Sequence, residues 1–116
     1  MQAAEQKETN YRECICVEEV LRLLSGKWKG MILYHLLNFG PIRFAALHRQ
    51  MPKVTARMLA IQLRELEGNG LVSRSVFPEV PPRVVYSLTP KGRGLEPVIV
   101  AMEQWGREHF QDEIFH

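Results

Sequence analysis

Apolar positions along the chain recur first at helical and later at alternating spacing. Over 16–24, Val17, Val20, Leu21, Leu23 and Leu24 fall at helical intervals, and Ser25-Gly26 ends the run. A second helix is predicted over 27–38. Trp28, Met31, Ile32, Leu33, Leu36 and Leu37 are apolar almost all round it, which marks a central, mostly buried helix. Phe39-Gly40-Pro41 stops it, and the next few residues leave room only for a turn or a brief edge strand. A short helix over 44–51 is expected to bury Phe44, Leu47 and Met51. Beyond Pro52, Thr55 can cap a helix running to about Glu67. Met58, Leu59, Leu63 and Leu66 form its apolar face, with Ala56, Arg57, Ala60, Ile61 and Arg64 turned away. Gly68-Asn69-Gly70 is its stop.

The period then changes. The segments 71–77 and 83–88 are rich in Val, Tyr and Phe, and Pro78-Glu79-Val80-Pro81-Pro82 separates them. They predict a β-hairpin with a protruding, proline-stiffened tip. Thr89-Pro90 caps a last helix, whose stripe of Leu95, Val98, Ile99, Met102, Trp105 and Phe110 runs almost to the C-terminus. Helix, helix, short helix, helix, strand, strand, helix is the order of a winged helix-turn-helix, an α+β and mainly helical fold. Residues 1–13 are polar and read as a flexible tail, and 14–116 as one domain.

Composition narrows the class. With 116 residues, 46% hydrophobic and 24% charged, the chain has room for one ordinary globular domain. No stretch nears the ~20 apolar residues of a membrane span, and the start is too polar for a signal peptide. Two cysteines cannot make a disulfide framework, so a cytoplasmic protein without membrane contact is expected. His35, His48, His109 and His116 show no ligand spacing with the cysteines, and no metal or cofactor is expected. No Gly-rich phosphate loop and no Ser/His/Asp set points to an enzyme.

Charge is uneven. Residues 41–83 hold seven Lys/Arg against three acids, a net +4, whereas the whole chain carries +2. The remainder is net acidic, so positive charge is concentrated on the helix-turn-helix and hairpin.

Several segments carry a resemblance: LAIQLRELEGNGL at 59–71, RSVFPEVPPRVVYSLTPKG at 74–92, LLSGKWKGMILYHL, GPIRFAAL, and a cysteine just before the first predicted helix. In order and spacing they resemble the HxlR-type transcription regulators, relatives of the MarR group, from about Cys14 to Phe110. The resemblance implies a cytoplasmic homodimer on palindromic operator DNA, with the helix after the proline turn as reader and the hairpin as wing. It also implies an interface built by the N-terminal segment and the last helix. Some members sense quinones, aldehydes or oxidants through the N-terminal cysteine, and others have no known ligand.

On that basis Thr55, Ala56, Arg57 and Ala60 are candidates for the groove, and Arg43, Arg49, Lys53 and Arg64 for phosphates. Arg74 and Arg83 would supply charge at the base of the hairpin tip, and Glu79 is expected to pair with a neighbouring Arg. Gln62 faces either DNA or a polar edge of the core. Ala56 and Ile61 replace residues that are commonly polar in the family, which favours thymine methyls over hydrogen bonds. Val85 replaces a residue more often charged. Val98, Ile99, Met102, Trp105 and Phe110 are the candidate dimer face.

Cys14 and Cys16 are expected at the start of the first helix, where its dipole and free amides favour a thiolate. Cys14-Ile15-Cys16 stands where the family has Cys-Pro; Cys14 is the preferred sensor, with Cys16 the other candidate. A disulfide within Cys-x-Cys is strained, whereas one across the dimer axis is open if the two N-termini meet. The alternatives are two buried structural cysteines in a regulator that answers to a small ligand between the first and last helices, and a winged-helix interaction module without DNA binding.

Overall fold

Helix α2 (Lys29–Phe39) forms the hub because Ile32, Leu33 and Leu36 repeat at helical spacing and are all buried. The computed structural model describes residues 3–114, with side chains described for residues 11–110. Ahead of the hub lies α1 (Ala3–Leu24). After it come β1 (Ile42–Arg43), α3 (Phe44–Gln50) and α4 (Ala56–Gly68). The hairpin strands β2 (Val72–Phe77) and β3 (Arg83–Leu88) follow, then α5 (Pro90–Arg93) and α6 (Glu96–Ile114).

The sheet is antiparallel in the order β1-β3-β2. The brief edge segment is therefore a true strand, pairing Ile42 with Tyr86 and Arg43 with Val85. Leu47, Leu59, Leu63, Leu66, Val72 and Leu88 close the core around the hub.

Local signals set the boundaries. The Thr55 side chain accepts from the Met58 amide at 3.1 Å and caps α4. At the other end Gly70 takes φ +77°, the Leu71 amide donates to Leu66 O, and the Gly70 amide donates to Glu67 O. This is a Schellman stop, and it delivers the buried Leu71 to the first rung of the wing. Gly92 serves another purpose: a Cβ there would lie 2.1 Å from Leu71 O, so only glycine lets α5 seat against the start of the wing.

Four expectations are corrected. The first helix, whose helical run is expected from Cys16, begins at Ala3, with residues 1–2 outside those described. The polar segment 1–13 is rich in Ala, Gln, Glu and Lys and has no Gly or Pro to break the helix. Met31 lies on an uncovered side of α2 and is 45% exposed, so the hub is not apolar-buried all round. Met58 is exposed as well, because Leu59, Leu63 and Leu66 take the core stripe and Met58 falls at its edge. The last helix is broken at Gly94-Leu95 into α5 and α6.

The radius of gyration is 17.2 Å, against about 13 Å for a compact 100-residue domain. The excess comes from α1 and α6, whose described residues are mostly exposed.

Candidate nucleic-acid interface

The segment between α3 and α4 is a tight turn with both flanks anchored. Met51 and Val54 are buried, and Pro52 and Lys53 face solvent. His48 Nε2 donates to the Val54 carbonyl at 2.7 Å, tying the end of α3 to the start of α4. Sequence reading missed this strut, since nothing along the chain pairs a histidine with a carbonyl six residues on.

Beyond the turn, α4 turns Ala56, Arg57 and Arg64 outward, with Ala60 half-buried between them. The Thr55 hydroxyl oxygen is engaged in the cap. Gln62 faces the α1–α2 junction: its Oε1 is buried without a partner, 3.4 Å from the position of a Cβ on Gly26. Behind the helix, Lys29 Nζ bonds Glu65 Oε1 at 2.5 Å and the Ser25 carbonyl at 3.3 Å. Lys29 is the one buried charged residue among those described.

Charge pairing separates two groups of cations. Arg22, Lys29, Arg74, Arg83 and Arg107 each face a carboxylate. Among the described residues nine cations make no ion pair: Arg43, Arg49, Lys53, Arg57 and Arg64 are exposed on β1 and the helix-turn-helix, and Arg12, Lys27, Lys91 and Arg93 are exposed elsewhere.

In the wing, Arg83 donates through Nε and Nη2 to Glu79 Oε2 at 3.1 and 3.0 Å, as expected for Glu79. Its guanidinium also lies 4.1 Å from the centre of the Phe77 ring. Arg83 opposes Phe77 on the last rung and so lies directly under the tip, because the strand begins with it. Arg74 is mid-strand, opposite Tyr86. Burial raises the Tyr86 phenol above its ordinary range; Arg74 and Arg64 lower it and Glu67 raises it, which brings these charges together around one hydroxyl.

The candidate dimer face divides. Val98, Met102, Trp105 and Phe110 are exposed along α6 and line an open apolar trough with Pro97, Ala101 and Gly106. Ile99 does not belong with them: it is 3% exposed, turned into the chain's own core where α6 packs on α2.

Both cysteines are exposed and free of a disulfide, not buried. They sit well inside α1, not at its start, so their amides lie within the helical ladder and the free N–H groups expected to favour a thiolate are not there. Cys16 joins Val17, Val20 and Leu21 in an apolar recess against Val98 of α6. Cys14, two residues back, points to another side of the helix.

A family described as HxlR-like helix-turn-helix matches residues 23–114. YdeP of Bacillus subtilis, an HTH-type transcriptional regulator, is 52% identical over 98 residues, covering 84% of this chain and 75% of its own. Among solved structures, the redox regulator HypR in its reduced form is 49% identical at a TM-score of 0.77, covering 83% of this chain and 93% of its own. HypR is also known in an oxidised form. The reduced transcriptional regulator YodB from B. subtilis is 39% identical at a TM-score of 0.70, covering 79% and 89%.

Proposed function

The chain belongs to the HxlR-like helix-turn-helix family of transcription regulators, whose partner is DNA, and on that premise we propose that it acts as a homodimer reading an operator with α4. The observation that carries the reading is the clustering on β1 and the helix-turn-helix of five exposed cations with no carboxylate partner among the described residues: Arg43, Arg49, Lys53, Arg57 and Arg64. A cation held by a carboxylate gains little from a phosphate, whereas an unpaired one releases a counterion on contact. With Arg57 kept for a base edge, the other four on phosphates correspond to a log–log salt slope of about −3 to −4 per protomer. Thr55, Ala56, Arg57 and Ala60 lie at the N-terminal part of α4, where base edges are read. Arg57 supplies the only fork among them, suited to guanine, and the two alanines suit thymine methyls. Arg74 and Arg83 serve the wing, Arg83 chiefly by holding Glu79 away from phosphate.

The exposed stripe of Val98, Met102, Trp105 and Phe110, continued by the apolar side of α1, favours a second copy as its cover. The two α4 helices then sit ~34 Å apart, one turn of DNA. Such a protein belongs in the cytoplasm, where DNA and free thiols coexist. Arg57→Ala abolishes operator binding in a gel shift on the gene's own upstream DNA while the dimer persists in size-exclusion chromatography. Normal binding by that variant refutes the reading face.

Exposed thiols in a chain similar to the redox regulator HypR favour an oxidant or electrophile as the signal. With a partner's α6 over the Cys16 recess, Cys14 is the thiol left in reach. Two thiols, one from each protomer, lose two electrons and two protons to an oxidant such as diamide and join as a disulfide, shifting one α4 against the other. Release of DNA on diamide treatment, abolished by Cys14→Ser, is the expected result. Release that survives both Cys14→Ser and Cys16→Ser excludes a thiol switch.

A further inference from the structure

Between the outer side of α4 and the hairpin lies a cleft of about 570 Å³ lined by Ala60, Arg64, Glu67, Gly68, Arg74 and Tyr86. Arg74 and Tyr86 are opposed across β2 and β3, so their side chains leave the sheet on the same face. Arg64 and Glu67 are three apart on α4 and therefore neighbours on its surface. Arg74 Nε lies 3.8 Å from Glu67 Oε1, a loose contact, and Arg64 makes no ion pair among the described residues. The Tyr86 hydroxyl makes no hydrogen bond to a described residue, and its ring is held from behind by Phe44, 6.4 Å away between centres. Ala60 and Gly68 keep the cleft open between these groups.

Two guanidiniums, one carboxylate and one free hydroxyl make a net charge of +1 around an open space. That matches a singly charged phosphodiester better than a dianion. We propose that this cleft clamps one phosphate of the DNA backbone through Arg64, Arg74 and the Tyr86 hydroxyl, and that Glu67 is a resident anion occupying Arg74 until a phosphate displaces it. The inference rests on the DNA-binding reading and adds two residues to it: a neutral donor from the sheet and an acid that weakens the sequence-independent part of the grip. Phosphate contacts fix orientation without reading sequence, so Glu67 shifts the balance of binding toward base contacts.

A backbone clamp is tested without knowledge of the operator, by anisotropy titration on a short random-sequence duplex between about 50 and 200 mM salt. Glu67→Gln adds one net positive charge per protomer, so it binds roughly three- to tenfold tighter per protomer at the lower salt and steepens the log–log slope by about 0.9 per protomer engaged. Tyr86→Phe removes a neutral donor, so it weakens binding roughly three- to tenfold and leaves the slope unchanged. Melting curves of both variants, compared with the native chain, verify that the fold is kept. Native protein that binds duplex while Glu67→Gln is no tighter, or Tyr86→Phe no weaker, overturns the clamp and leaves the DNA reading standing. Native protein that binds no duplex even at the lowest salt ends both.

Discussion

Removing either partner of the Lys29–Glu65 pair breaks the same contact, yet the structure predicts very different costs. The Lys29 side chain is 9% exposed and that of Glu65 is 51% exposed. In Lys29→Met the surviving carboxylate rehydrates where it stands and the thioether fills the buried stem, so the loss is about 1 kcal/mol or less. In Glu65→Ala an ammonium is left in a largely dry site with only the Ser25 carbonyl, 3.3 Å away. An uncompensated buried charge costs about 3–5 kcal/mol; that remaining contact and some access for water reduce it to roughly 2–3 kcal/mol. For a domain of this size that is a fall in melting temperature of roughly 8–12 °C. Circular-dichroism melts and urea titrations at one fixed protein concentration measure both variants, which matters because dimerisation feeds into apparent stability. A larger loss in Lys29→Met than in Glu65→Ala refutes the argument, since it would place the desolvation cost on the carboxylate. Because Glu65 stands on the back of α4, Glu65→Ala also loosens the helix proposed to read DNA.

Three further outcomes follow from the geometry. Gly92→Ala puts a methyl 2.1 Å from Leu71 O; separating them disturbs the Thr89 amide bond to that same oxygen, 3.1 Å long, for a loss of roughly 3 kcal/mol in urea denaturation. Burial lowers the His35 imidazole below its ordinary value, and its Nδ1 has no partner. The unfolded chain therefore binds the proton more readily, so this contribution is intact above about pH 6.5 and is lost as pH falls through the lowered folded value. His35→Leu flattens that acid-side decline in melts taken between pH 7 and 5. Trp105→Asp, on the exposed stripe of α6, yields a monomer by sedimentation velocity with the fold retained; an unchanged dimer places the interface elsewhere.

Elements with local punctuation were legible from residue order. The α4 cap at Thr55, its stop at Gly70, the hairpin with its proline tip, and the Glu79–Arg83 pair all arise within a few residues of chain. The extension of α1 to Ala3 was missed because a polar segment with good helix formers and no apolar face carries no periodic signal. The cysteines consequently moved from a helix start to a helix interior. Of the proposed site, the outward cations of α4 followed from helical period alone. Their freedom from carboxylate partners did not, because pairing depends on which acids arrive from elsewhere.

What the sequence by itself determined is the order of the main helices and the hairpin, the concentration of positive charge on 41–83, and the family. These rest on short-range spacing and composition. Only the tertiary structure decided that Ile99 belongs to the core and Val98 to the surface, and that Lys29 is buried against a glutamate 36 residues away. Only the tertiary structure gathered Arg64, Glu67, Arg74 and Tyr86 around one cleft. Helical period assigns a residue to a side of its own helix, but the angle at which a second element packs against that side determines which residues are covered and which charges meet.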